Sequence, residues 1–531
     1  MSRNKIPEIG LVLFSILWIF IIGIDYLNKH PWYEISIQYF KFPRLVTFVL
    51  IFSVVLTLSY RFVPILKRAI CTGPGLFFLS LVFLVALGVS FGKYGIGREP
   101  STSELASYVL MSLKSMFFLI ALSISAYLYG SIFNLKILAH PIYKVAVGLI
   151  LICLLLFGMA ALSQFTIGGT LIVLFLPLLL SYKRIIPATK GLLIKEWTFK
   201  DLNLVGALCI HFLIFYTALN FAYVQAPFPI GFDARNFYMN ISQQLALSEG
   251  LIYGYRPYNW SLLIAMGFVL FDDAPVALSI SLYGYLLTLF AMYQLGTQRL
   301  RLGTNKVLFG MLFFTVTPAV SNQLFIELKT DMALLFFQLI AISLFLKYIN
   351  TASFKAVLDQ KVGIKSIDKN KLLGPVAVLG IIVGFGMGIK LTNMFMLFSL
   401  IICFFWIMNE SFVLTTAVIN LTLGLFVLVG LDNISGIRDY HLGLDYLTGV
   451  FFLSGFSLLG YALYKDFKSI APTLVIVITM GLFSTMSLFP WVLKNYSETR
   501  SLNPSVLLNG GTPGPDLNIY ILNQNYLNSK E

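Results

Sequence analysis

About fifteen runs of apolar residues, most of them near the roughly 20-residue length that crosses a hydrocarbon core, divide this chain. They constrain the fold more than any other feature. In lipid every backbone N–H and C=O must find its partner within the protein, so an isolated run of this length has to be a helix. The runs fall at 8–27, 43–63, 75–92, 105–128, 145–163 and 168–182, then at 204–222, 275–295, 306–321, 331–348, 373–389, 391–408, 412–431, 446–464 and 470–490. The expected fold is therefore an all-α polytopic integral membrane protein with about 15 transmembrane helices.

The charge content agrees. Only 11% of residues are charged and the mean hydropathy is +0.86, against about 25% charged residues in soluble domains. A net charge of +14 invites a nucleic-acid partner, but the charges are in the wrong places for one. With the N-terminus in the cytoplasm and the runs alternating, 23 of the 37 basic residues fall in cytoplasmic loops, which is the bias that orients membrane proteins. The partners this implies are membrane lipids, with no nucleic acid. The same count puts 223–274, 322–330, 432–445 and the tail from 491 on the outer face.

Several simpler readings drop out. Cys71, Cys153, Cys209 and Cys403 lie in or beside apolar runs without paired spacing, and the four histidines form no metal-binding pattern. The run at 9–26 follows Arg3 and Lys5, exceeds a signal-peptide core and lacks a small-residue cleavage site, so it is expected to be a retained anchor. The piece at 261–271 is too short to cross and is expected to be a re-entrant or interfacial helix, closed by Asp272, Asp273 and Pro275. The organisation expected is a six-helix module over 1–182, a basic cytoplasmic linker over 183–203, a catalytic membrane module over 204–490 with an outer loop at 223–274, and an extracytoplasmic tail over 491–531.

The polar interruption at 231–260 holds the first candidates for chemistry. Asp233 suits a helix N-cap and a general base alike, since a cap fixes its side chain at a helix start. Arg235 and Arg256 flank the segment, and each is either a headgroup contact or a planar fork of donors for a phosphate. Tyr253, Tyr255, Tyr258 and Trp260 read first as an interfacial aromatic belt. Glu327 and Asp331, at i and i+4, share a helix face at the mouth of the run that follows.

Lys390 ends a run that carries Gly384, Gly386 and Gly388. The glycines allow either close helix packing or the approach of backbone to a ligand, while an ionisable group at such depth faces a polar cavity or a partner. Lys494 follows Pro490 and Trp491, and Lys114 lies inside an apolar run, either paired with an acid or snorkelling. Asp233, Arg235, Arg256, Glu327, Asp331, Lys390 and Lys494 all fall on the outer face of the charge-derived topology. Acids and bases gathered there suit removal of a proton from an acceptor hydroxyl while cations hold a phosphate leaving group.

The order of these pieces resembles the polytopic GT-C glycosyltransferases, in the branch containing protein O-mannosyltransferases and aminoarabinose transferases. The resemblance runs from 204 to about 510. It rests on Asp233 in the first outer loop, Phe237-Tyr238, the turn Gly250-x-x-Tyr253-Gly254 with Pro257, the short helix at 261–271, the acids Glu327 and Asp331 ahead of a span, Gly386-x-x-x-Lys390, and Pro490-Trp491-x-x-Lys494-Asn495-Tyr496-x-x-Thr499 with Asn503-Pro504.

The resemblance implies a GT-C-like module with outer-face juxtamembrane helices and a transferase acting on a polyprenyl-phosphate-linked sugar, with a glycan, lipid or protein as acceptor. Asp233 would be the base, with Glu327 and Asp331 the further catalytic acids. Lys390, Arg256 and Lys494, with Arg235 and Tyr253, would serve the lipid phosphate. A divalent cation is left open. Two departures from the family stand out: the six preceding spans, and the lack of a second acid beside Asp233. The expected location is a bacterial plasma membrane with an extracytoplasmic active site. The competing reading is a lipid or polysaccharide transporter, which requires charges distributed through the membrane depth and an internal repeat.

Overall fold

A computed structural model describes residues 102–133, 135–189, 202–223, 238–252, 256–324, 329–351, 354–355, 369–428, 444–502 and 507–508. Every regular element among them is helical. Among the described residues seven helices are long and apolar enough to cross a membrane, and five shorter apolar ones accompany them. The expected spans at 8–27, 43–63 and 75–92 lie outside the described residues, as do Asp233, Arg235, Tyr253 and Glu327.

We number the helices in chain order: α1 (Thr102–Gly130), α2 (Pro141–Ala161), α3 (Ile167–Leu180), α4 (Tyr182–Thr189), α5 (Leu204–Tyr223), α6 (Asn240–Ser248), α7 (Asn259–Phe271) and α8 (Ala274–Gln294). Then come α9 (Thr304–Val316), α10 (Pro318–Asn322), α11 (Asp331–Ile349), α12 (Lys369–Ile389), α13 (Met394–Asn409), α14 (Phe412–Leu428) and α15 (Leu444–Thr499). Local chemistry sets several starts. His140 caps α2 by accepting from the Ile142 N–H, with Pro141 at the first helical position, where its missing N–H costs nothing. Thr166 caps α3 through the Gly169 N–H.

The centre of the bundle is α8, the most buried of the candidate spans. It runs parallel to α1, with Lys114 beside Asp273 and Ser123 Oγ 2.8 Å from Tyr283 Oη. It is also parallel to α11, because Gly284 abuts Ala333 and Gln294 meets Ser343. Antiparallel to α11 runs α12, which in turn is parallel to the second half of α15. One buried cluster extends from Phe118 through Trp260, Phe337 and Phe385 to Trp491, so helices from 102–182 and from 204 onward share a core.

Close approach depends on small residues, as expected where lipid offers no hydrophobic drive between helices. A Cβ on Gly380 would lie 2.4 Å from the Met480 carbonyl oxygen, and one on Gly384 only 2.1 Å from that of Ser484. Ser484 Oγ donates to the Gly380 carbonyl at 2.9 Å, closing the same seam.

One expectation narrows and another needs correcting. The piece expected to lie re-entrant or at the interface is α7, and its residues from Asn259 to Phe268 are all buried. Protein walls it in: Ser242 of α6 reaches its Ser261 carbonyl, Gly267 packs on Ala277 of α8, and Trp260 meets Phe337 of α11. This burial excludes the interfacial alternative and agrees with a re-entrant, half-length helix enclosed by protein. Asp272, left-handed at φ 45°, reverses the chain into α8.

The correction concerns the spans expected at 446–464 and 470–490. They form one helix of 56 residues, α15. At 1.5 Å per residue that is roughly 84 Å, far beyond a hydrocarbon core of about 30 Å. The separator Lys465–Asp466–Phe467–Lys468 contains good helix formers and no glycine, so nothing in it breaks the helix. Pro472 falls just beyond, and Ile470–Thr499 is the part long and apolar enough to cross. The first half of α15 pairs with α14, where Asn420 donates to Ser454.

Candidate functional site

The two ends of the bundle differ in charge. One end gathers Lys136, Lys144, Arg299 and Lys347, around the starts of α2 and the ends of α8 and α11. The opposite end gathers Glu249, Asp272, Asp273, Asp331 and Glu498 together with Lys114, Lys390 and Lys494. The polar cluster that could do chemistry lies at this acidic end, around the C-terminus of α12.

Lys390 stands where α12 ends, in extended conformation, and its Nζ donates to Asp331 Oδ1 at 2.7 Å. Asp331 opens α11, so its carboxylate sits at the positive end of that helix dipole. Both side chains are partly exposed, at 40% for Lys390 and 25% for Asp331, which leaves the pair open to a ligand from one side. Asp331 Oδ2 and the neighbouring Thr330 Oγ1 are buried and have no hydrogen-bond partner among the described residues. Beneath them Gln338 donates to Asn393 Oδ1, and Asn393 Nδ2 donates to the Val383 carbonyl.

Two residues back from Lys390, α12 meets the floor of the site. Asn259 Nδ2 donates to the Phe385 carbonyl at 2.9 Å, and Asn259 Oδ1 accepts from Trp491 Nε1 at 2.7 Å. A Cβ on Gly388 would come within 2.1 Å of the Asn259 amide, and one on Gly386 within 2.2 Å of the Asn393 amide. The expected choice between helix packing and backbone approach to a ligand is thus resolved by packing. Gly380 and Gly384 admit α15, while Gly386 and Gly388 admit two buried amides.

Trp491 also packs edge-on to Tyr258 and Phe157, at 4.4 and 4.8 Å between centroids. One turn on, Lys494 is almost fully buried and paired with Glu498 at 2.9 Å. Tyr258 accepts from the Ile252 N–H at 3.0 Å. Burial pushes its phenol well above its ordinary range, the Ile252 bond pulls it down, and the negative charge of Glu498 raises it further, so the hydroxyl stays protonated. Arg256 lies exposed two residues before it.

Of the expected site residues, the structure brings Asp331 and Lys390 into contact, places Lys494 one turn beyond Trp491 and leaves Arg256 exposed shortly before Asn259. Asn259, Asn393 and Glu498 did not figure in the sequence reading. Glu498 lies at i+4 from Lys494, a spacing that marks helix ion pairs. Asn259 and Asn393 carried no such signal.

A cavity of about 240 Å³ opens at the same end, between the start of α3, α6 and the end of α7. Phe165, Leu247, Phe268, Gln243, Glu249 and Asp272 line it. No three His, Cys, Asp or Glu side chains converge on a metal site among the described residues. The Lys390 ammonium pairs with Asp331, and the other acids expected here, Asp233 and Glu327, lie outside the described residues.

Comparison with family models, with curated proteins and with solved structures gives no match to this chain.

Proposed function

We propose that this protein is a membrane glycosyltransferase that moves a sugar from a polyprenyl-phosphate donor to the hydroxyl of a glycan, lipid or protein acceptor, with inversion. The observation that carries the reading is the Asp331–Lys390 pair, open on one side at the acidic end of an apolar helical bundle. A lipid-anchored phosphate needs a cation at that level, and the Asp331 carboxylate holds the Lys390 ammonium that would supply it.

In the proposed reaction the acceptor oxygen attacks the anomeric carbon as its proton passes to the Asp233 carboxylate. The bond between that carbon and the phosphate oxygen breaks, and the electron pair leaves with the polyprenyl phosphate. Lys390 and Arg256 take up the charge that develops there. Arg235 and Tyr253 share the segment with Asp233 and would serve the lipid phosphate, while Glu327, four residues before Asp331 in the sequence, would be a further catalytic acid. Lys494, neutralised by Glu498, supports the floor from which Trp491 and Asn259 hold the end of α12. α6, which follows the Asp233 segment in the chain, packs on α7 through Ser242 and the Ser261 carbonyl at this end of the bundle. The reading carries with it about 15 spans, a cytoplasmic N-terminus and an extracytoplasmic site in a bacterial plasma membrane.

Transfer of radiolabelled mannose, glucose and arabinose from short-chain polyprenyl phosphates, in membranes containing the full chain, tests it. Asp233→Asn is expected to abolish transfer while the melting temperature holds. Transfer from none of the carriers, or full transfer by the variant, overturns the mechanism.

A further inference from the structure

At the basic end of the bundle, far along α8 and α11 from the site above, two cations converge on one phenol. Tyr143 is fully buried at the start of α2. Arg299 closes the π-helical turn after α8 and reaches the Tyr143 hydroxyl with Nη2 at 3.3 Å. Lys347, in the last turn of α11, holds its Nζ 5.5 Å from the centre of the same ring.

The floor under them is a closed set of hydrogen bonds. Tyr143 Oη lies 2.6 Å from Ser343 Oγ and accepts from Gln294 Nε2 at 2.7 Å, while Ser343 Oγ donates to Gln294 Oε1 at 2.7 Å. With its proton given to Ser343, Tyr143 Oη has two lone pairs, one for Gln294 and one for Arg299. Tyr143 Oη itself has no lone pair left for the other guanidinium donors.

The cations themselves are not saturated. Arg299 Nε is buried without a partner among the described residues. Lys347 donates only to two neutral groups, the Lys136 and Ile137 carbonyls, at 3.2 and 2.8 Å. The ion pairs found among the described residues involve neither side chain. Helix C-termini favour one cation each, which explains why Arg and Lys stand there. That effect neither satisfies a buried N–H nor offsets two like charges on one ring.

We infer that Arg299 and Lys347 form a binding site for a phosphate group, with the Tyr143–Ser343–Gln294 network as its rigid floor. A phosphate supplies what the site lacks: negative charge between two cations and several acceptor oxygens for the guanidinium fork. Its position at the ends of two membrane-length helices is the level of a phospholipid headgroup, where basic pockets between helices take anionic lipids. The site is separate from the proposed transfer chemistry and is read without it.

The test uses the full chain in nanodiscs of phosphatidylcholine, doped with increasing phosphatidylglycerol, with inorganic phosphate titrated in a parallel arm. Retained lipid is counted by native mass spectrometry, and melting temperature is followed alongside. The wild type is expected to retain phosphatidylglycerol and to melt higher with it. Arg299→Gln and Lys347→Gln should each weaken this roughly tenfold, about the worth of one charge-assisted hydrogen bond. Arg299→Lys should keep part of it, and Lys306→Gln, an exposed cation at the same end, should change nothing. A response to inorganic phosphate alone assigns the site to a free anion, and a response only to the lipid assigns it to a headgroup. Equal lipid retention in the wild type and both Gln variants overturns the proposal, as does an equal loss in Lys306→Gln, which would mean diffuse attraction. A variant that melts as the wild type does in pure phosphatidylcholine is folded, so loss of lipid there is loss of the site.

Discussion

Asp331 and Lys390 are 59 positions apart in the chain, and they meet at 2.7 Å where α11 begins and α12 ends. The contact links the first polar residue of one membrane-length helix to the residue that terminates another. Because both side chains are partly exposed, the pair adds little to stability, about 1 kcal/mol or less. Its larger effect is on what can bind beside it.

Lys390→Met is therefore expected to lower the melting temperature only slightly and to raise the KM for a polyprenyl-phosphate sugar at least tenfold. Asp331→Asn should leave Lys390 free to engage the phosphate more tightly, lowering KM while slowing turnover. Parallel effects of the two variants on KM would show that the pair acts as a unit of structure and not as a phosphate site.

Lys114 and Asp273 form the second long-range pair, joining α1 to the start of α8, with the ammonium also 5.3 Å from the Phe271 ring. Lys114 is 36% exposed, so its pairing energy is screened. Lys114→Met and Asp273→Asn should each destabilise by about 1 kcal/mol. The double variant should cost less than the two single costs combined, with a coupling of about 0.5 kcal/mol. Thermal melts of the four proteins in one detergent measure it, and strictly additive costs would remove the pair as a link between these helices.

What the sequence disclosed follows from what apolar runs encode. Length and hydropathy reveal that a segment is a lipid-compatible helix, and the helices from α1 onward lie close to the expected runs. Whether an apolar face meets lipid or protein is not encoded, because both are equally apolar. So for α7, too short to span, the re-entrant and interfacial readings stayed open, and only its burial excludes the interfacial one. The pairing of Lys114 hid for a related reason: its partner lies 159 residues away, and only the packing of α1 on α8 brings them together. Asp331 and Lys390 were legible as sites because charges at such depth are costly and rare. Asn259 was not, since one amide at the start of an apolar run reads as a helix terminus. The break expected between 464 and 470 failed because charge alone does not end a helix made of good helix formers.

Gly384→Ala probes the seam between α12 and α15. The added methyl would sit 2.1 Å from the Ser484 carbonyl oxygen, and backbone on both sides leaves no flexible atom to yield. The helices must separate, at a cost of about 1–3 kcal/mol. Gly481→Ala on the facing helix α15 is the control: nothing lies within 4 Å of its Cβ position. There the gain in helix propensity should stabilise by up to about 1 kcal/mol. Opposite shifts in melting temperature are expected, and a loss at Gly481 equal to that at Gly384 would mean the effect is not one of helix approach.

The buried amide of Asn259 gives the sharpest test of how the floor holds the site. Its two ends are both committed, Nδ2 to the Phe385 carbonyl and Oδ1 to the Trp491 indole N–H. Both Asn259 and Trp491 are buried, so neither bond has water as a substitute. Asn259→Leu leaves the indole N–H stranded and forces a larger, branched group against Gly388, where even the native amide defines the contact. The expected cost is about 2–4 kcal/mol, from one orphaned donor and the overpacking. Asn259→Asp keeps the acceptor for Trp491 but removes the donor to Phe385 and buries a charge, so it should be no milder. Trp491→Phe strands only Asn259 Oδ1 and trims the edge-on contacts to Tyr258 and Phe157. It should cost less than Asn259→Leu, and adding it to Asn259→Leu should recover stability, because the stranded N–H disappears. Since Lys390 hangs from the same helix end, all three variants should also weaken donor binding in proportion to their loss of stability. A double variant no more stable than Asn259→Leu alone would show that the indole N–H is satisfied in some other way and that the amide does not fix the end of α12.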